Sequence, residues 1–236
     1  MTNDQFHAKV AETEEDKRVA YGIRYQAFCV DYPYLPADDY PDHQESDAWD
    51  KHSVSFLLYA AGQPVGVSRL ILDSADGFQT ESYGHVPSTL PRSEMAEVSR
   101  LAVLKQFSDT DKTARRAGLL LLNQAMFMYS LTHGINYWFA TMFVRIYQLY
   151  SDLNVPFKLL STEQHRWPDE NGGFTVPVLL ELQKVLPYLY HANRELYAQV
   201  VGNTEQPAHY DAAEMDKLQQ QIESEHQQMA NLVDKA

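Results

Sequence analysis

Between Met95 and Val103 the chain reads M-A-E-V-S-R-L-A-V, and three residues in that run carry chemistry: Glu97, Ser99 and Arg100. A carboxylate takes a proton, a hydroxyl donates or accepts a hydrogen bond, and a guanidinium grips an anion. Buried unpaired in an apolar run, each is costly. The group therefore needs an internal partner or a ligand, so it is either an ion pair on a sheet or a reaction site. Val98, Arg100 and Ala102 alternate with Ser99, Leu101 and Val103, which is the period of a strand. On a regular strand Glu97 and Ser99 share one face and Arg100 takes the other, unless a bulge re-aims one of them.

Other charged residues have the same need. Arg69 is a lone cation in Gly66-Val67-Ser68-Arg69-Leu70, and its candidate partners are Glu45, Asp47, Asp50 and Glu97. Arg24 and Phe28, four apart on a helix, share a face. The run E-S-D-A-W-D places Glu45, Asp47 and Asp50 within six residues. That is a solvated turn or a cation site. It lacks the glycine and distal glutamate of a calcium loop, and no metal is expected.

These residues need elements to hold them. Residues 1–15 are polar and expected to be a flexible N-terminus. Val19, Ile23, Ala27 and Val30 recur at helical spacing over 16–30. The proline-rich, tyrosine-rich stretch 31–43 is irregular. Residues 54–60 and 65–72 read as a hairpin about Ala61-Gly62-Gln63-Pro64. A polar loop over 73–93 leads to the central strand, and a polar turn over 105–113 comes after it. Residues 112–133 form an amphipathic helix closed by Gly134. Strands are expected over 135–142, 156–161 and 174–182, a short helix over 143–153 and a polar loop over 163–173. Two more helices are expected over 186–201 and 212–234. The last carries Met215, Leu218, Ile222, Met229 and Leu232 on one face, suited to a lid, a partner or self-association. The order implies an α/β (α+β) fold, with a mixed sheet between helices. The expected division is 1–15 flexible, 16–186 the main domain and 187–236 a C-terminal helical extension.

Composition narrows the function. A net charge of −13 argues against a nucleic-acid surface, which needs a basic face. The single cysteine, Cys29, excludes an internal disulfide and a cysteine zinc cage, and reads as a buried structural thiol. No charged-then-apolar leader and no membrane-length apolar run are present, so a cytoplasmic protein is expected. Fifteen tyrosines and ten phenylalanines suffice to fill a core or line an apolar groove. Against the acidic background Lys105, Lys112, Arg115 and Arg116 form a local basic patch. It sits where a strand turns into a helix N-terminus, a place whose free N–H groups hold phosphate or pantetheine. Val103 and Gly118 belong to the same stretch.

Taken in order, Arg24 with Phe28, Glu45-x-Asp47-x-x-Asp50, Gly66-x-x-Arg69 and Glu97-x-Ser99-Arg100 resemble the acyl-homoserine-lactone synthases and the long-chain N-acyl amino acid synthases. Both have the GCN5-related N-acyltransferase fold. R-Y-Q-A-F-C, Y-P-D-H-Q-E-S-D-A-W-D, E-V-S-R-L-A-V and N-Y-W-F-A-T-M are most similar to the bacterial subset associated with exosortase and PEP-CTERM systems. The resemblance runs from about Tyr21 to Leu186.

It implies transfer of an acyl group from a thioester to a primary amine, with no resident cofactor. Glu97, Ser99 and Arg100 become the catalytic candidates. Glu97 is either the base that deprotonates the ammonium or an anchor for the arginines, with water moving the proton. Arg24 and Arg69 are candidates for a substrate carboxylate, with Asp47 and Asp50 as their anchors. Phe28 and Tyr34 belong to the substrate site, and Trp138, Phe139, Met142 and Phe143 are candidates for an acyl pocket. Tyr32 and Tyr34 stand where lactone synthases usually carry tryptophan, which favours an amino acid over S-adenosylmethionine as the amine. Leu119 and Leu120 after Gly118 favour an acyl carrier protein over acyl-CoA as donor. The alternatives are a lactone synthase using S-adenosylmethionine, and a binding module that captures acylated ligands without turnover.

Overall fold

A computed structural model describes residues 6–83, 86–108, 112–161, 165–166 and 173–233. The chain forms two units, one built mainly from Met1–Gln79 and Ala96–Gly134, the other from Thr80–Met95, Ile135–Trp167 and Gly173–Ala236.

The first unit is a β-meander with one helix on each face. Strand β1 (Phe6–Val10) precedes helix α1 (Glu14–Tyr25), and strands β2 (Ser53–Ala60), β3 (Gln63–Leu72) and β4 (Met95–Val103) complete the sheet. Neighbours pair antiparallel in the order β1-β2-β3-β4. A short helix α2 (Lys105–Ser108) and the long helix α3 (Lys112–Thr132) come next. The N-terminal stretch is thus not wholly flexible as expected. His7 stacks on Tyr59, and Phe6 meets Phe107 edge-on, so packing against distant segments holds β1 in place within a polar stretch. Helix α1 starts at a capping box: Thr13 accepts from the Asp16 N–H, and Asp16 accepts from the Thr13 N–H.

Ala20, Ile23 and Ala27 pack with Leu57 and Val67 on one face of the sheet. Phe56 and Leu58, one residue out of step, face α3 instead, where Phe56 meets Tyr129 edge-on. After Tyr25 the helix widens into a π-turn, Gln26–Asp31. A π-turn holds an extra residue per turn and rotates the residues after it about the helix axis. Val30, expected on the apolar face, is accordingly exposed.

The second unit holds strand β5 (Tyr137–Phe143), helix α4 (Val144–Asp152), two-residue strands β6 (Lys158–Leu159) and β7 (His165–Arg166), and strand β8 (Phe174–Glu181). Strand β8 pairs antiparallel with β5, β6 and β7. The expected strand over 156–161 is only two residues of ladder, and β7 lies where a loop was expected. Helices α5 (Leu182–Ala192), α6 (Arg194–Val201) and α7 (Ala212–Val233) complete the unit. Helix α5 begins ahead of the expected 186/187 boundary.

Met215, Leu218 and Ile222 of α7 are buried against Tyr188 of α5, and Met229 is buried too. These four residues of the stripe, expected to serve a lid, a partner or self-association, are thus buried inside the chain. Glu225 of α7 also accepts the Leu159 N–H of β6 at 2.7 Å. Leu232 lies outside the described side chains. Among the described residues no helix is long and apolar enough to cross a membrane.

Two glycines set how closely the first unit packs. A Cβ on Gly118 of α3 would lie 2.6 Å from Leu58 Cδ2, and one on Gly66 would lie 2.9 Å from the Ala102 carbonyl oxygen. Gly118 therefore serves helix-on-sheet packing. Either glycine changed to alanine is expected to cost about 1–3 kcal/mol in urea unfolding through overpacking. Leu58→Ala should relieve Gly118→Ala, whose obstacle is that side chain. It should relieve Gly66→Ala only in part, because it removes Leu58 Cδ2 at 3.3 Å but leaves the Ala102 carbonyl oxygen at 2.9 Å.

Candidate active site

The chemistry-bearing residues of the first unit converge on one buried cluster. Arg24 reaches it from α1, Arg69 from β3, and Ser99 and Arg100 from β4. Glu45, Asp47 and Asp50 come from the segment before β2. The register explains the row on the sheet: Ser55, Arg69 and Ser99 lie opposite one another across three strands, on the face that α1 covers. Asp47 caps a short 3₁₀ turn, Ala48–His52, by accepting the Trp49 N–H, and Asp50 reaches back to the Asp47 N–H. That turn fixes both carboxylates.

Glu45 is the shared partner. It accepts from Arg24 Nε and Nη2 at 2.6 and 3.0 Å, and from Arg100 Nε and Nη2 at 3.0 and 3.1 Å. Arg24 Nη1 donates to Asp50 at 2.6 Å. Arg69 Nη1 donates to Asp47 at 2.7 Å and Asp50 at 2.9 Å, its Nε to Ser99 Oγ at 2.9 Å, and its Nη2 to Gln79 Oε1 at 3.0 Å. Arg100 Nη2 also donates to Asp47 at 3.1 Å. Three guanidinium groups thus face three carboxylates, and the cations these acids meet are arginines. Tyr21 lies under Arg24, its ring centroid 5.3 Å from the guanidinium carbon.

A bulge brings Arg100 in. Val67 pairs with Ala102 and Arg69 with Ser99, so Ser68 alone faces both Arg100 and Leu101. Arg100 takes up the extra residue at φ 54°, an unusual value for a residue with a Cβ. The added residue turns Arg100 onto the face of Ser99, where strict alternation would have sent it away. Its guanidinium carbon lies 5.7 Å from the centre of the Phe28 ring, which the π-turn carries. Tyr34 donates its N–H to the Phe28 carbonyl and stacks on Tyr32. Glu97 is buried opposite Ile71, two residues from Ser99 and on the same face.

Burial separates the three arginines. Arg24 and Arg69 are wholly buried, whereas the Arg100 side chain is 13% exposed. Among the described residues Arg100 Nη1 has no acceptor, and the Ser99 hydroxyl, which accepts from Arg69, has none for its own proton. A ligand therefore has an open donor pair on Arg100 and an open hydroxyl on Ser99. Arg24 and Arg69, expected to hold a substrate carboxylate, are enclosed and already matched by Glu45, Asp47 and Asp50.

Electrostatics match the geometry. Burial would push the Glu45 carboxyl up, but hydrogen bonds and charge from Arg24 and Arg100 outweigh it and hold the group at about 2. Asp50 is likewise held down by Arg24 and Arg69 against its burial. Burial, with the nearby Glu45 charge, pushes the Cys29 thiol up to about 11, which suits the inert thiol expected.

The remaining candidates are not among the hydrogen-bond partners named above. Trp138 and Phe139 are buried on β5, while Met142 and Phe143 are half-buried. Alternation puts Trp138 and Met142 on one face of that strand and Phe139 and Phe143 on the other, so the four do not line one pocket wall together. Lys105, Arg115 and Arg116 are exposed, and Val103 is buried opposite Gly66. The Lys105 backbone N–H donates to Asp31 at 2.7 Å. The side chain of Lys112 lies outside the described ones. Sequence reasoning did not find Gln79 or Tyr21. Gln79 sits in a polar loop with no periodic signal, and Tyr21 reads as an ordinary helix aromatic.

Comparison with known proteins agrees with this architecture. The family model described as an acetyltransferase (GNAT) domain matches residues 23–115. Among solved structures the chain is similar to FeeM, an N-acyl amino acid synthase from uncultured soil microbes, at 15% identity over 77% of this chain and 94% of that one, with a TM-score of 0.55. It is similar to a CoA-dependent acyl-homoserine lactone synthase, BjaI, solved with SAM and isopentyl-CoA, at 19% identity over 90% and 99%, with a TM-score of 0.59. It is also similar to the AHL synthase LasI, at 17% identity over 86% and 98%, with a TM-score of 0.57. A search of curated proteins gives no match. The chain has the GNAT fold, a mixed, mostly antiparallel sheet flanked by helices and ending in a C-terminal helix.

The Glu45 carboxyl titrates below its ordinary value of 4.5 in the folded chain. Its contribution is therefore fully present above that pH and lost as pH falls toward about 2, a loss of about 3 kcal/mol. Glu45→Gln leaves two buried guanidinium groups short of a carboxylate and should cost ~3–5 kcal/mol at neutral pH. Its stability should also fall less steeply in acid, as urea unfolding between pH 3 and pH 7 would report.

Proposed function

We propose that this chain is an N-acyltransferase that moves a long-chain acyl group from acyl carrier protein to the amine of an amino acid or a related small amine. The observation that carries the reading is the cluster around the β4 bulge. There, among the described residues, Arg100 Nη1 and the Ser99 hydroxyl lack protein acceptors, with buried Glu97 two residues from Ser99 on the same strand face. Arg24, Arg69 and the three carboxylates serve as the frame. Glu97 attracts the substrate ammonium and takes its proton. The free amine attacks the thioester carbonyl, and a C–N bond forms as the C–S bond breaks. The departing thiolate takes up a proton and leaves as a thiol. The Ser99 O–H and the N–H groups at the bulge stabilise the developing oxyanion. Arg100, over the Phe28 ring, binds the carboxylate of an amino acid acceptor.

Charge points to the donor. Lys105, Arg115 and Arg116 expose a cationic surface on a chain of net charge −13, and an acidic carrier protein suits it. Similarity to the lactone synthases supports a second reading, with S-adenosylmethionine as the amine, which releases methylthioadenosine when the product lactonises.

Mass spectrometry of lipids from a bacterial host expressing the chain is expected to find a new N-acyl amino acid, and methylthioadenosine release would favour the second reading instead. Glu97→Ala should lose at least about a hundredfold in acyl transfer while keeping its far-ultraviolet circular dichroism. Full activity in that variant would remove Glu97 from the mechanism. Arg115→Glu with Arg116→Glu should raise KM for the acyl carrier protein at least about tenfold more than for a short acyl-pantetheine. An equal rise for both donors would count against carrier docking at this patch.

A further inference from the structure

Arg69 is held from three directions. Asp47 and Asp50 both pull on Nη1, at 2.7 and 2.9 Å. Ser99 Oγ takes the Nε hydrogen at 2.9 Å, and Gln79 Oε1 takes an Nη2 hydrogen at 3.0 Å. A guanidinium is a rigid plane, so its nitrogens move together. With two carboxylates on one nitrogen, the plane would swing toward them and lift Nε from Ser99 unless something held the opposite side. Gln79 is that counterweight. It is an amide, so it holds the plane without adding a charge where three carboxylates already answer three guanidinium groups.

The consequence falls on Ser99. Arginine only donates, so a hydroxyl facing Arg69 Nε must accept and is left with its own hydrogen for another acceptor.

We propose that Gln79 is a positioning residue that aligns Arg69 with Ser99 and so keeps the Ser99 hydroxyl a donor toward the substrate. The catalytic consequence rests on the acyltransferase reading; the alignment does not. Two measurements separate them. The first is ¹⁵N NMR of arginine side chains, with the Arg69 Nε–H assigned by its loss in Arg69→Lys. Solvent exchange of that hydrogen should quicken at least about tenfold in Gln79→Met, a near-isostere lacking the oxygen, and stay slow in Gln79→Glu, which keeps one. Unchanged exchange in Gln79→Met overturns the proposal whatever the activity. If Gln79→Met fails to fold, Gln79→Asn, whose shorter amide withdraws the oxygen, carries the same prediction.

The second measurement is kinetic. Gln79→Met should lower kcat about tenfold with KM for the amine within about twofold, and lose under about twofold more in a Ser99→Ala background. A tenfold loss that persists without the Ser99 hydroxyl overturns the route through Ser99. Quickened exchange in a chain with no transferase activity on any donor would uphold the alignment and refute the acyltransferase reading.

Discussion

Three guanidinium groups lie buried or nearly so in one small volume, and they stay there because three carboxylates neutralise them. Taking any of these charges out of water alone is prohibitive, and mutual attraction repays the cost only when hydrogen bonds are nearly complete. Here a glutamate serves two arginines, and an arginine serves two aspartates, a serine and a glutamine. Helix α1, strands β3 and β4 and the segment before β2 each bring charges the others must meet. None of these pieces can be buried in its place without the rest. Local structure serves that matching: the capped 3₁₀ turn aims Asp47 and Asp50, and the register across β2, β3 and β4 sets Arg69 beside Ser99.

The bulge on β4 is the second constraint. One extra residue costs the strand a regular ladder step and puts Arg100 at a backbone angle that side chains seldom adopt. In return the strand presents Ser99 and Arg100 side by side, which no regular strand does. The π-turn after α1 works the same way on a helix: an extra residue sends Phe28 under Arg100 and turns Val30 out to solvent. The acceptor-free groups of the cluster sit beside these two irregularities, while the regular parts of α1 and β3 hold its enclosed arginines. Strain concentrated at a site and supported by a matched scaffold is how functional geometry is commonly maintained.

Much of this was legible in the sequence, because periodicity and charge need leave strong traces. The hairpin, the central strand, the long helix and the need of Arg69 for a carboxylate all come from apolar alternation and the cost of burying lone charges. What could not be read depends on contacts between distant segments. Strand β1 is a five-residue run inside a polar N-terminal stretch and forms through pairing with β2 and ring stacking on Tyr59. The bulge could be named only as an exception, since nothing in E-V-S-R-L-A-V says which residue is extra. Arg69 was legible as a cation needing a partner and Arg24 only as a neighbour of Phe28, and neither was legible as fully enclosed. Gln79 comes from a polar loop without a pattern, and only the coordinates join it to Arg69. The apolar stripe of α7 was seen correctly, but periodicity cannot say whether such a stripe is filled by the same chain or another.

That last helix does more than fill a gap. By setting Glu225 on the Leu159 amide, α7 occupies a hydrogen-bonding position on a two-residue border strand that other chains could use as a template. A premature stop ahead of Met215 would uncover that position together with the apolar surface that Met215, Leu218 and Ile222 now seal. Such a truncated chain would be lost to aggregation rather than persist as a slower enzyme. Damage to the C-terminus would then register in the cell as missing protein, even with every group around Glu45 intact.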